Sequence, residues 1–114
     1  MAYDKVSPAI KPEEYGFPLK LKPRYDNFIG GEWVAPVKQQ YYSNLTPITG
    51  EPLCEVASSS AEDIELALDA AHKAKDAWGR TSVQDRANLL NKVADRMEAN
   101  IELLANAETW DNGK

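Results

Sequence analysis

The sequence predicts β-hairpins followed by two or three amphipathic α-helices, and three observations support this fold class. A Gly-Gly pair stands between two short apolar stretches in residues 28–34, and residues 41–45 and 53–57 are typical of a second extended pair. From Ser60 onward, the apolar residues recur at helical spacing. The length of 114 residues suits one modest domain.

The N-terminal stretch is rich in proline. Residues 1–24 hold four of the seven prolines, which are Pro8, Pro12, Pro18 and Pro23. Proline has no backbone N–H to donate and holds the preceding residue in extended conformations. We therefore predict an irregular N-terminal arm over residues 1–24, either disordered or laid on a neighbouring surface, with folded structure over residues 25–114.

Two turns organise the predicted strands. Glycine reaches positive φ without steric cost, so Gly30-Gly31 predicts a two-residue hairpin turn. The segment between the second pair of strands contains Pro47, Gly50 and Pro52, which also predict a turn.

The helix boundaries follow from capping patterns. Ser60 precedes two acidic residues, as at a helix N-terminus, and Gly79 is expected to end that helix in the left-handed conformation. Ser82 starts a second capping pattern, and helical spacing continues beyond a bend expected near Asn100. The run at residues 111–113 predicts the end of the last helix.

The predicted helices carry wide apolar stripes. Their members include Leu89, Leu90, Val93, Met97, Leu103 and Leu104. The upstream strands are short and offer little surface to cover them. We therefore expect their packing partner to lie beyond Lys114, in a longer protein.

Composition narrows the class of protein. The net charge is −5, from 13 basic and 18 acidic residues, with no basic run, so we expect neither nucleic acid nor an anionic membrane as a partner. There is no apolar run near the roughly 18–20 residues that span a bilayer, and no signal-peptide core. One cysteine excludes an internal disulfide framework. These features favour a cytoplasmic protein.

The single cysteine and the single histidine have ordinary structural interpretations. A catalytic thiolate needs a cationic neighbour or a helix N-terminus, whereas Cys54 lies in a predicted strand beside Glu55. We interpret Cys54 as a structural core residue. His72 is expected at the solvent boundary of the first helix, and one histidine provides no metal-ligand pair.

The remaining candidates also have structural explanations. Gly30-Gly31 lacks the spacing of a dinucleotide loop. The first helix carries acids that a solvated face explains, namely Glu62, Asp63, Glu65, Asp69 and Asp76. The tryptophans Trp33, Trp78 and Trp110 are interpreted as packing anchors. The residues alone therefore predict no catalytic or cofactor-binding constellation in this chain.

Three motifs in order resemble the start of an aldehyde dehydrogenase. Residues 28–33 resemble the family's F-I-x-G-x-W hairpin, and residues 46–53 resemble N-P-x-T-G-E-x-I, with Thr46 where the family usually has Asn. Residues 86–90 and 108–114 resemble R-x-x-x-L … E-T-x-D-N-G-K. Stretches in the leader, at residues 12–16 and 23–25, are similar to bacterial members that act on acetaldehyde and related short aldehydes.

The resemblance implies an α/β parent enzyme in which residues 25–114 are the N-terminal, incomplete part of the nucleotide-binding domain. Such enzymes oxidise an aldehyde to a carboxylic acid with NAD+ or NADP+, through a cysteine thiohemiacetal and thioester. The family's catalytic and cofactor-binding residues have no match here, so the chain alone is expected to be inactive and to bind no cofactor. A homodimer or homotetramer is implied for the full-length enzyme.

One feature of the family can be carried over to this chain. Some members bind a monovalent cation through the aspartate of D-N-G-K and backbone carbonyls before N-P, which correspond to Asp111 and to carbonyls near Asn44 and Leu45. The alternative is that Asp111 simply helps to end the helix.

Two other interpretations of the whole chain stay open. It could be a stand-alone interaction module derived from such an enzyme and lacking catalysis, or a truncated piece that does not fold independently. The first predicts a soluble, cooperatively folded product, and the second predicts aggregation through the apolar stripes.

Overall fold

The protein is described by a computed structural model that covers residues 20–114. The elements, in chain order, are β1 (Arg24–Tyr25), β2 (Asn27–Ile29), β3 (Glu32–Val34), β4 (Tyr41–Leu45), β5 (Pro52–Ala57), α1 (Ala61–Gly79), α2 (Val83–Glu98) and α3 (Ile101–Asn112). The predicted order, strands followed by amphipathic helices, is confirmed. Most of the predicted proline-rich arm, residues 1–19, lies outside the described residues.

The β2–β3 hairpin forms where the glycine pair predicts it. The two strands are antiparallel, with Phe28 opposite Trp33. Gly30 and Gly31 have φ values of 63° and 89°, which residues with a Cβ adopt only at a steric cost. The rings of Phe28 and Trp33 meet edge to face, with centroids 5.2 Å apart, so the hairpin is stabilised by a cross-strand aromatic pair.

The other strands form a three-stranded sheet in the order β1-β5-β4. Strands β4 and β5 are antiparallel, as predicted. Strand β1 was not predicted, because two residues are too few to show an alternating pattern. It pairs parallel to β5, with Arg24 opposite Glu55. The Glu55 N–H donates to the carbonyl of Pro23 at 2.9 Å, and the Arg24 guanidinium donates to the Glu55 carboxylate, so the pairing is supported by backbone and side chain together.

Most of the helix boundaries agree with the capping patterns. The Ser82 hydroxyl accepts a hydrogen bond from the Asp85 N–H at 3.0 Å and caps α2. Asn100 separates α2 from α3, as the predicted bend requires. Gly113, with φ of 76°, ends α3 in the left-handed conformation, and its N–H donates to the Thr109 carbonyl at 2.8 Å.

The predicted role of Gly79 is wrong. Gly79 is the last residue of α1, and the left-handed glycines of the described chain do not include it. The C-cap is Arg80, in the right-handed conformation, and its N–H donates to the Asp76 carbonyl at 3.2 Å. The Thr81 hydroxyl donates to the Trp78 carbonyl at 2.6 Å, so a polar side chain satisfies a terminal carbonyl where the prediction assigned glycine.

The core is small and lies between the three-stranded sheet and the end of α3. Its buried residues are Leu53, Cys54 and Trp110, with Leu21, Tyr25 and Val56 packed against them. Helix α2 has no buried residue, and the predicted stripes are exposed, from 40 % at Leu103 to 67 % at Leu90. Within residues 20–114, then, nothing covers the stripes, as predicted. No helix in this part of the chain has the length and apolar character needed to cross a membrane.

Candidate functional site

The candidate site is the contact between the β4–β5 hairpin and the C-terminal end of α3. It comprises Asn44, Thr46, Cys54, Trp110 and Asp111, and we call it the hairpin–helix junction. The junction brings together Cys54, which the sequence predicts as a core residue, and Asp111, the candidate cation ligand, although they are far apart in the chain.

Thr46 links the two halves of the junction. Its side chain is fully buried, and its hydroxyl donates to the backbone carbonyl of Trp110 at 2.5 Å. Its backbone closes the hairpin, since its N–H donates to the Glu51 carbonyl and its carbonyl accepts from the Gly50 N–H. In the sequence, Thr46 stands out only as a departure from a family motif. Its role was missed because the partner lies 64 residues further along the chain.

Asn44 and Asp111 form the polar part of the junction. The Asn44 side-chain amide donates to the Asp111 carboxylate at 2.7 Å. The β4–β5 ladder is irregular at this point, because Asn44 lies opposite Cys54 whereas Leu45 lies opposite Pro52. The Asp111 carboxylate therefore lies beside Asn44 in β4, the segment whose carbonyls the family resemblance pairs with Asp111 in a cation site.

The geometry bears on the two interpretations of Asp111. Helix α3 is capped by Gly113, whose backbone takes the left-handed conformation. The Asp111 carboxylate accepts a hydrogen bond from the Asn44 side chain in β4. Within residues 20–114, no group of three His, Cys, Asp or Glu side chains could hold a metal ion. The Asp111 carboxylate and nearby backbone carbonyls are oxygen donors of the kind that suits hard cations.

Cys54 is a core residue of the junction, in agreement with its predicted structural role. It is 8 % exposed and packs with Leu53 and Trp110. Burial raises the pKa of the Cys54 thiol, the Asp111 charge raises it further, and a hydrogen bond with Asn44 opposes both. A thiol held protonated in this way is a poor nucleophile at neutral pH.

The acids of α1 are exposed as predicted, with one exception. Asp63 is 2 % exposed, so its assignment to a solvated face is wrong. Its carboxylate accepts from the Ser60 N–H at 2.7 Å and from the Val37 N–H at 2.9 Å. Both hydrogen bonds lower the pKa of the Asp63 carboxyl, and the bond from Ser60 has the larger effect. The side chain therefore caps α1 and fastens the loop after β3 to it.

The remaining singled-out residues are His72 and the three tryptophans, and of these four only Trp110 belongs to the junction. His72 is exposed on α1, as predicted. Trp110 is buried and serves as a packing anchor, and Trp33 contacts the rings of Phe28 and Tyr25 while remaining 54 % exposed. Trp78 is 48 % exposed, so its interpretation as a packing anchor stays a prediction.

The glycine pair of the hairpin provides no phosphate site. Gly30 and Gly31 border an open groove of about 710 Å³ between the β2–β3 turn and α1. The helical wall of this groove is mostly alanine, with Lys73 as its charged residue. The described residues thus do not fit the common dinucleotide-binding arrangement, in which a glycine-rich loop leads into a helix N-terminus.

Comparison with known proteins gives consistent results. The profile described as "Aldehyde dehydrogenase family" matches residues 33–114. The chain is 72 % identical over 114 residues, 100 % of its length, to aldehyde dehydrogenase B of Escherichia coli (strain K12). It is 63 % identical over 99 residues (87 % of the chain) to acetaldehyde dehydrogenase of Pseudomonas aeruginosa. It is 58 % identical over 105 residues (92 % of the chain) to long-chain-aldehyde dehydrogenase of an Acinetobacter species. These alignments cover 22 %, 20 % and 21 % of the relatives, so the chain spans about a fifth of their length.

Proposed function

This chain belongs to the aldehyde dehydrogenase family, and we propose on that basis that it is the N-terminal part of an enzyme that oxidises an aldehyde to a carboxylic acid. The observation that carries the proposal is the identity of 72 % over all 114 residues to a protein named aldehyde dehydrogenase B. The proposed electron acceptor is NAD+ or NADP+, as is general in the family. The junction and the apolar helices then serve as structural parts of a larger catalytic unit.

The proposal assigns the nucleophile and the cofactor site to residues outside this chain. A thiohemiacetal and a thioester require an accessible cysteine thiolate. Cys54 is buried, and its raised pKa keeps it protonated. The described residues also do not form the glycine-rich loop of a common dinucleotide site, so they are assigned no catalytic step. The contribution of this chain is to supply hairpins and helices that pack against the rest of the enzyme.

Short aliphatic aldehydes are the proposed substrate class. The leader motifs resemble those of acetaldehyde-type members, and one relative, 63 % identical, is named acetaldehyde dehydrogenase. The runner-up is a long-chain aldehyde, supported by a relative of that name at 58 % identity.

A substrate series tests the proposal. The protein, expressed from its own gene, is assayed for reduced nicotinamide with aldehydes of increasing chain length and with either NAD+ or NADP+. We expect kcat/KM to be highest for acetaldehyde or a close homologue, and a maximum at long chains would favour the runner-up. Absence of turnover with every aldehyde and both cofactors would contradict the proposed activity. The purified 114-residue chain is the control, and we expect it to reduce neither cofactor.

Asp111 is the proposed ligand of a monovalent cation, together with backbone carbonyls near Asn44 and Leu45. Support comes from the 2.7 Å bond that holds the Asp111 carboxylate beside β4. Thermal unfolding of the expressed protein in potassium, sodium and choline chloride at equal ionic strength tests it. We expect potassium or sodium to raise the Tm above that in choline, and Asp111→Asn to abolish the difference. Equal Tm values in all three salts for the unmodified protein would contradict it.

The cellular setting is proposed from the same evidence. We propose a cytoplasmic homodimer or homotetramer with no nucleic-acid or membrane partner, supported by the net charge of −5 and the apolar helix faces. Light scattering coupled to size-exclusion chromatography measures the assembly, and a monomeric expressed protein would contradict it.

A further inference from the structure

The last turn of α3 contains the one Asn-Gly pair of the sequence, Asn112-Gly113. In such a pair, the backbone nitrogen of the glycine is little hindered, because the residue has no Cβ. It can therefore attack the side-chain carbonyl carbon of the asparagine.

We propose that Asn112 is a deamidation site whose rate is controlled by the last turn of α3. While that turn is closed, the reaction is slow, and when the turn opens, Asn112 converts to aspartate and isoaspartate. A few hydrogen bonds at the C-terminal cap hold the reacting groups and so control the rate.

The reaction needs only water and a proton acceptor from solvent. The Gly113 amide nitrogen gives its proton to solvent base and forms a bond to Cγ of Asn112. The bond from Cγ to Nδ2 then breaks, and the nitrogen leaves as ammonia after taking a proton from solvent. The resulting succinimide is opened by water at either of its carbonyls, and no oxidation or reduction occurs.

The attacking nitrogen of Gly113 and both polar side-chain atoms of Asn112 are held by hydrogen bonds in the folded structure. The Gly113 N–H donates to the Thr109 carbonyl at 2.8 Å. The leaving nitrogen of Asn112 donates to Oε1 of Glu108 at 2.5 Å, and Oδ1 of Asn112 accepts from the Lys114 N–H at 2.9 Å. Asn112 also has a helical backbone, and ring closure requires rotation about its Cα–C bond, which would break the turn.

The same residue is open to water. Among residues 20–114, nothing covers Asn112 and Gly113, so this part of the chain excludes neither solvent base nor the hydrolytic water once the turn opens. Helix ends open far more readily than helix centres, which makes the opening accessible without global unfolding. The local structure therefore sets the rate.

Deamidation would change the charge of the junction. The Asn112 amide now donates to the Glu108 carboxylate, whereas a carboxylate at position 112 would repel Glu108 and would lie next to Asp111. It would also lie at the negative end of the α3 dipole. We expect the last turn to open and the Asn44–Asp111 hydrogen bond to weaken, so one slow chemical step would loosen the hairpin–helix junction.

Mass spectrometry of the expressed protein tests the proposal. The protein is incubated at mildly alkaline pH, with and without denaturant, and the peptide containing Asn112 is analysed for aspartate and isoaspartate over time. We expect much faster conversion in denaturant. In native buffer, we expect Glu108→Ala to react about fivefold faster than the unmodified protein, since it loses one net hydrogen bond. Glu108→Gln keeps an acceptor and should react at the unmodified rate, and Asn112→Gln should yield no product.

Two results would overturn the proposal. One is an equal rate of conversion for the unmodified protein in native buffer and in denaturant. The other is an unchanged native rate for Glu108→Ala while its far-ultraviolet circular dichroism matches that of the unmodified protein. If Glu108→Ala loses its helix signal, the first comparison decides the outcome alone.

Discussion

The hydroxyl of Thr46 donates a hydrogen bond of 2.5 Å to the backbone carbonyl of Trp110, joining positions 64 residues apart. Thr46 is fully buried and Trp110 is 5 % exposed, so the bond forms inside the small core. Because the Thr46 backbone also closes the β4–β5 hairpin, a single residue fixes both the turn and the approach of α3.

Thr46→Val should destabilise the protein by about 1–2 kcal/mol, because it removes a buried hydroxyl that donates to the Trp110 carbonyl and accepts from the Ile48 N–H. Urea unfolding of the expressed protein measures the loss. Thr46→Ser is the matched control, since it keeps the hydroxyl, and it should recover part of the difference. A Thr46→Val midpoint equal to that of the unmodified protein would show that the bond contributes nothing.

Asp63 should make stability depend on pH in the acidic range. Its folded-state pKa is lowered by the Ser60 and Val37 N–H donors. The stabilisation is therefore complete above the unfolded-chain pKa of about 3.9 and is lost as the pH falls through the lower folded value. Unfolding measured by urea at a series of pH values down to about pH 2 should show this loss.

Asp63→Asn is the control for that pH profile. The amide cannot ionise, so the loss of unfolding free energy at acid pH that is due to Asp63 should disappear. Stability at neutral pH should be lower than with aspartate. A profile with unchanged slope would assign the pH dependence to other carboxylates.

Cys54 should be chemically inert while the protein is folded. Because burial and the Asp111 charge raise its thiol pKa, reaction with a thiol reagent at neutral pH should be many times slower in native buffer than in denaturant. Cys54→Ala should lower stability by about 1 kcal/mol through lost packing and leave aldehyde oxidation intact. Rapid native labelling, or loss of kcat in a folded Cys54→Ala protein, would contradict the structural role.

The 114-residue chain alone should associate through its exposed helix faces. Leu90 and Met97 are 67 % and 55 % exposed, and groups of such side chains drive aggregation. Static light scattering of the purified chain should show large particles, and Leu90→Lys with Met97→Lys should reduce the scattering. Gln84→Lys with Asn91→Lys adds the same charge at exposed polar positions and should have less effect. A monomeric, cooperatively unfolding chain would instead support the stand-alone module.

Local signals in the sequence were sufficient for the elements but not for the contacts between them. Gly30-Gly31, Ser82 and Gly113 each act through their own backbone or a neighbour within four residues, so pattern alone located those turns and caps. Asp63 could not be recognised as buried, because one of its donors, Val37, belongs to a loop 26 residues earlier. The same holds for Thr46 and for β1, whose partners are fixed only by the tertiary fold.

The position of β1 beside β5 has a consequence for the order of assembly. The β2–β3 hairpin can close as soon as Val34 is available, because its contacts are local. The three-stranded sheet must wait for residues more than thirty positions later, and its core must wait for Trp110, so these steps carry the loop-closure cost. On the ribosome, we therefore expect the hairpin to emerge first, with the core sealed only after α3 has left the exit tunnel.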